Sequence, residues 1–147
     1  MLALDTNILV YAADNLAGPR QVEAEHIIQS AAKVRAALPE QCILEFLNIL
    51  LQKIRRSMPD AATLARDLNR NFRVLLPPPA IIDDILRLMS NHRLNIWDAR
   101  ILAVCAANAC TVLLTEDMQD GGKYGGVTVI NPFNPANAAV VARVLTP

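Results

Sequence analysis

Five acidic residues stand where their types and contexts suit shared chemistry: Asp5 after LAL, Glu45 within QCILEFLNIL, Asp98 in NIWDAR, and Asp117 and Asp120 in LLTEDMQDG. Carboxylates brought close together repel and raise one another's pKa unless a cation neutralises them. Oxygen ligands without accompanying histidine or thiolate select hard ions, Mg²⁺ or Mn²⁺, over zinc or copper. Such ions orient and acidify a water and stabilise charge on carbonyl or phosphoryl oxygens. Taken singly, each acid also has a plainer reading. Asp5 suits a turn or cap, Glu45 a solvated helix face, Asp98 a helix cap and Asp117 a loop. Asp120, beside Gly121 and Gly122, suits a tight turn.

Other site chemistries find little local support. His26 and His92 are isolated from each other and from the cysteines, which argues against zinc and against serine–histidine catalysis. Cys42, Cys105 and Cys110 form no CxxC and sit among apolar neighbours, so they read as small buried hydrophobes.

The elements that must position the acids follow from hydrophobic spacing. MLALD reads as a short buried strand, and TNILVYAAD as a helix capped by Thr6 or Asn7. Asp5 then stands at a strand's C-terminal end. Residues 19 to 37 predict an amphipathic helix whose apolar side carries Val22, Ile27, Ile28, Ala31 and Val34 and runs on to Leu38. QCILEFLNILLQKIRR predicts the next helix, with one polar stripe of Gln41, Glu45, Asn48, Gln52 and Arg56. A third runs from Pro59 to about Phe72. RVLLPPP reads as a strand halted by prolines, AIIDDILRLMSNH as a helix, and IWDARILAVCAANA as a helix capped by Asn95.

TVLLT and VTVIN complete the strands, and NPANAAVVARVL predicts a closing helix. Apolar strands alternating with helices point to a parallel sheet covered on both faces. In such sheets ligands gather at the C-terminal strand ends, where strand order reverses. Asp5 and Asp117 both fall there.

Composition sets outer bounds. A chain of 147 residues with 53 % hydrophobic residues is the size of one domain, here 1–147, with ample core. No apolar run approaches the roughly 18 to 20 residues of a membrane span, and MLALDTN lacks a basic leader region, so the expectation is a cytoplasmic protein with no membrane partner. Fourteen basic residues balance fourteen acidic ones. If the site acids bind metal, the rest of the surface becomes net positive, which suits a polyanionic substrate. Between residues 53 and 73, Lys53, Arg55, Arg56, Arg66, Arg70 and Arg73 face only Asp60 and Asp67, as a solvated helical face or a surface for an acidic partner.

LDTNILVYA, QCILEFLNIL, WDAR and LLTEDMQDG, in that order, resemble a PIN domain of the VapC toxin type across nearly the whole chain. The resemblance implies a three-layer α/β/α fold with a central parallel sheet of four to five strands. It also implies a Mg²⁺- or Mn²⁺-dependent ribonuclease whose acidic quartet is Asp5, Glu45, Asp98 and Asp117, with Asp120 at a less constant acidic position. Asn7 matches a polar residue supporting the first acid, and Thr115 a hydroxyl that bonds within the site. The implied partners are an RNA substrate, a cognate antitoxin bound across helices near the site, for which the apolar ILVYAA is a suitable surface, and a second copy in a homodimer.

Outside the resemblance, Arg100 and Lys123 are candidate phosphate contacts, with a solvated glycine-rich loop as the other reading of Lys123. Trp97 and Tyr124 are candidate base-stacking residues, and Glu116 reads as exposed and dispensable. The alternative to an enzyme is a catalytically silent module that keeps the fold and binds RNA or a protein. Haloacid-dehalogenase-type phosphatases place a second aspartate where this chain has Asn7, and receiver-like domains need an adjacent early acid pair that is missing here.

Overall fold

The computed structural model describes all 147 residues. The strands are β1 (Leu2–Leu4), β2 (Ala37–Pro39), β3 (Arg73–Leu75), β4 (Val112–Leu114), β5 (Lys123–Tyr124) and β6 (Val127–Ile130). The helices are α1 (Thr6–Ala13), α2 (Pro19–Lys33), α3 (Glu40–Gln52), α4 (Met58–Asn71), α5 (Ile81–His92), α6 (Ile96–Ala107) and α7 (Ala138–Val144). The sheet order is β3-β2-β1-β4-β6-β5, with five strands parallel and the two-residue β5 antiparallel to β6.

Successive strand residues feed opposite faces, as a pleated sheet requires. Ala3, Leu113, Val127 and Val129 join the core under α5 and α6, whereas Leu2, Leu4, Leu114 and Ile130 join the core shared by α1, α2, α3, α4 and α7. These are the three layers expected. Both faces being covered explains why the strands read as continuous apolar runs.

Three elements differ from the sequence expectation. The apolar run ending at Leu38 is not one helix: α2 stops at Lys33, Arg35 adopts a positive φ, and Ala37–Pro39 forms β2. Three residues long and ending in proline, β2 carries neither β-propensity nor visible alternation, and only its pairing with β1 and β3 defines it. Val22 is exposed and contributes nothing to the core. The glycine-rich segment is ordered, with Tyr124 buried in β5 and Lys123 paired to Thr128.

The sheet runs outward from β1 on both sides, through β2 to β3 and through β4 to β6. Strand order therefore reverses between β1 and β4. Their register aligns Leu4 with Leu114, so Asp5 and Thr115 leave the sheet side by side at the switch point. No helix is long and apolar enough to cross a membrane.

Candidate active site

Asp5 is the N-cap of α1, not Thr6 or Asn7 as local pattern suggested. Its backbone N–H donates to Leu114 O at 3.0 Å, extending the β1–β4 ladder by one residue, and its Oδ1 accepts from Thr6 N at 2.6 Å. Thr115 Oγ1 donates to Asp5 Oδ2 at 2.6 Å. Both carboxylate oxygens are thus directed by backbone geometry at the strand ends, and the helix N-terminus favours the negative charge. Asp5 is nevertheless almost fully buried. Burial pushes its pKa up, the Thr115 and Thr6 hydrogen bonds pull it back, and the charges of Asp117 and Glu45 push it up again.

Glu45 reaches the same rim from the second turn of α3. Its Oε2 accepts from Thr6 Oγ1 at 2.8 Å and its Oε1 from Gln41 Nε2 at 2.6 Å, one helical turn earlier. Asp98 comes from the opposite layer, at the third position of α6. Asn95 Oδ1 accepts from the N–H groups of Trp97 and Asp98, each at 2.9 Å, and Asn95 Nδ2 donates to Asp98 Oδ2 at 2.6 Å. This reciprocal cap fixes the acid as well as the helix start. Burial raises the Asp98 pKa, Asn95 opposes that rise, and the charges of Asp117 and Glu45 add to it.

Asp117 lies beyond β4. Its N–H donates to Thr115 Oγ1 at 3.1 Å, and its Oδ2 accepts from Asn7 Nδ2 at 3.0 Å. Asn7 Nδ2 also donates to Thr115 Oγ1 at 2.9 Å, while Asn7 Oδ1 is buried without a partner. Four acids distant in sequence therefore share one electrostatic field. Hydroxyl and amide donors from Thr6, Gln41, Asn7 and Asn95 are interleaved among them, and no three of the acids converge tightly enough to grip one ion as they stand.

The remaining expected site residues divide. Arg100 lies one turn into α6, where its guanidinium donates to Gln41 Oε1 at 2.7 Å; it forms no ion pair with any of the acids. Asp120 is engaged elsewhere: its carboxylate accepts from Asn131 N at 2.9 Å and from Asn134 and Asn137 Nδ2 at 2.8 Å. These bonds hold its pKa below the ordinary value. Lys123 is not at the site. It sits on the edge strand, level with Thr128 and Val112 at the N-terminal side of the parallel strands, away from the acid-bearing rim.

Glu116 overturns the expectation of an exposed acid. Its carboxylate accepts from the Tyr11 hydroxyl and the Arg20 guanidinium, and only 17 % of its side chain is exposed. Arg20 also stacks over Phe133 at 4.6 Å, and Tyr11 meets Phe133 edge to face. Nothing local in the sequence signals this cluster, since Glu116 lies 96 residues from Arg20 and 105 from Tyr11. Gln41 and Thr6 were likewise visible only as a stripe residue and a cap. The cysteines are buried free thiols, as expected, and both histidines are exposed.

Residues 2–119 match the family model described as PIN domain. The chain belongs to the PIN domain family. Among individual PIN-type relatives, it is 24 % identical over 141 residues to Ribonuclease VapC24 of Mycobacterium tuberculosis, covering 90 % of this chain and 97 % of that one. Its fold is similar to PAE2754 from Pyrobaculum aerophilum, with a TM-score of 0.61 and 21 % identity over 97 % of this chain and 93 % of the other. It is also similar to a toxin–antitoxin complex from Klebsiella pneumoniae, with a TM-score of 0.62 and 22 % identity over 90 % and 98 % of the two chains. Within this PIN fold the acids occupy the switch-point rim, and the resemblance read from four sequence contexts agrees with the family match.

Proposed function

We propose that this protein is a divalent-metal-dependent endoribonuclease, the toxin of a VapBC-type toxin–antitoxin pair. The carrying observation is the convergence of Asp5, Glu45, Asp98 and Asp117 from four separate elements on one rim. Two of them, Asp5 and Asp98, have pKa values raised by burial and by the other acids. Maintaining like charges in a partly buried cleft costs stability, and a catalytic use accounts for the cost.

The residues fit a hard cation. Every donor in the set is oxygen, and the buried, unpartnered Asn7 Oδ1 adds a neutral acceptor beside the acids. Asp5, Glu45, Asp98 and Asp117 would hold Mg²⁺ or Mn²⁺, which supplies water activation and charge neutralisation at phosphate. The chain's own residues do the positioning. Thr115 and Thr6 orient Asp5, Gln41 and Thr6 orient Glu45, and Asn95 orients Asp98. Arg100 is the cation free to take a phosphate oxygen. Asp120 serves as the clamp of the 131–137 segment.

The relatives' descriptions as a ribonuclease and a toxin–antitoxin complex support extending both activity and partner to this chain. For the antitoxin, the apolar groove along α1, lined by Leu9, Ala12, Ala13, Ile28 and Phe46, is the fitting surface. A homodimer belongs to the same reading.

The deciding experiment incubates purified protein with total RNA in Mn²⁺ and maps the new 5′ ends, alongside Asp5→Asn. Metal-dependent ends absent from the variant are expected. Equal cleavage by both proteins, or cleavage that persists in EDTA, would refute the assignment.

A further inference from the structure

The polar stripe of α3 and the start of α6 enclose a cleft of about 540 Å³ lined by Gln41, Leu44, Glu45, Asn48, Trp97 and Arg100. Glu45 belongs to both cleft and acid cluster, so the cleft opens directly off the catalytic rim. Its walls are unusual for a surface. Trp97 is 61 % exposed and Leu44 57 %, two large apolar side chains that the core does not use. Its floor is polar and pre-ordered: buried Gln41 binds Glu45 through Nε2 and Arg100 through Oε1, and Arg100 has no carboxylate partner despite the acids nearby.

We propose that this cleft is a nucleobase subsite: a base next to the scissile phosphate leaves its stack and lies against the Trp97 indole, with Leu44 on the facing wall. Arg100 takes the adjoining phosphate, and Asn48 presents an amide to the base edge. An apolar plane beside an unpaired cation is the combination that binds single-stranded nucleic acid, because every base offers a face to stack and every linkage a charge. A duplex, whose bases stay stacked on each other, cannot use the cleft. This inference rests on the ribonuclease reading above.

Trp97 is the single tryptophan of the chain, so its fluorescence reports on the cleft alone. The test titrates the Asp5→Asn protein in Mg²⁺ with an end-labelled pool of random single-stranded RNA, reading label anisotropy and tryptophan emission together. The expected result is binding with matched quenching, little quenching by duplex RNA, roughly 5- to 100-fold weaker binding for Trp97→Ala, and recovery in Trp97→Phe. Binding with unchanged emission and an unaffected Trp97→Ala variant would overturn the subsite while leaving the nuclease assignment intact. No binding by anisotropy would instead count against the ribonuclease reading on which it rests. Light scattering on the same samples closes the remaining route: concentration-dependent emission without RNA, with a dimer lost in Trp97→Ala, would assign the face to self-association and overturn the subsite.

Discussion

Thr115 Oγ1 donates a 2.6 Å hydrogen bond to Asp5 Oδ2 across 110 residues of sequence. The bond exists because β1 and β4 are adjacent and in register at Leu4 and Leu114, so the residues that follow emerge together. It partly offsets the burial of Asp5 and aims one oxygen, and the remaining cost is an acid whose charged form is disfavoured.

Asp5→Asn should therefore keep the fold and relieve that cost. Asparagine also caps helices. In chelator the variant is expected to melt at the wild-type temperature or a few degrees higher. Mg²⁺ or Mn²⁺ should raise the melting temperature of wild type and not of the variant, since only a ligand that binds the native state stabilises it. A variant that melts well below wild type in chelator would mean that Asp5 holds the structure together instead.

Asn7→Ala tests how Asp117 is held. Asn7 Nδ2 ties Asp117 to Thr115, and losing such a supporting amide next to ligands costs roughly 10- to 100-fold in metal affinity or activity. Calorimetric titration with Mn²⁺ should show the weakening. Affinity equal to wild type would remove Asn7 from the site.

Asp120 makes a pH prediction with a defined sign. Its folded pKa is lowered from 3.8 by Asn131, Asn134 and Asn137, so the unfolded chain binds the proton more readily. Its contribution is fully present above the unfolded pKa and is lost as pH falls through the folded one. Below about pH 4, wild type should therefore converge in stability with Asp120→Ala, which is expected to be less stable at pH 7. Melting curves of the two proteins across acid pH check this, and a constant gap would contradict it.

Glu116→Ala should loosen the loop that carries Asp117. It leaves Tyr11 and Arg20 without their shared acceptor, and because Arg20 is 43 % exposed the loss is discounted to about 1 kcal/mol. Divalent affinity should fall as well, with Glu116→Gln recovering part of it through the Tyr11 bond. Denaturant melts paired with Mn²⁺ titration separate the two effects. A stability loss with unchanged affinity would confine the cluster to a structural role.

Local sequence determined much of this protein. Apolar strands, helices with caps such as Asn95, and acids placed directly after strands are encoded over a few residues, where spacing and side-chain chemistry decide. That is why Asp5 and Asp117 were legible as strand-end acids and Asp98 as a third-position acid.

Only the tertiary structure decided the rest. β2 is a strand because two neighbours pair with it, not because ALP favours one. Glu116 is a packed hub because Tyr11 and Arg20 arrive from two helices, and Asp120 is a clamp because three asparagines close on it. Lys123 falls outside the site because β5 lies on the far edge of the sheet and its register sets Lys123 opposite Thr128, near the start of β6. Each of these outcomes depends on contacts between segments distant along the chain, and periodicity carries no record of them.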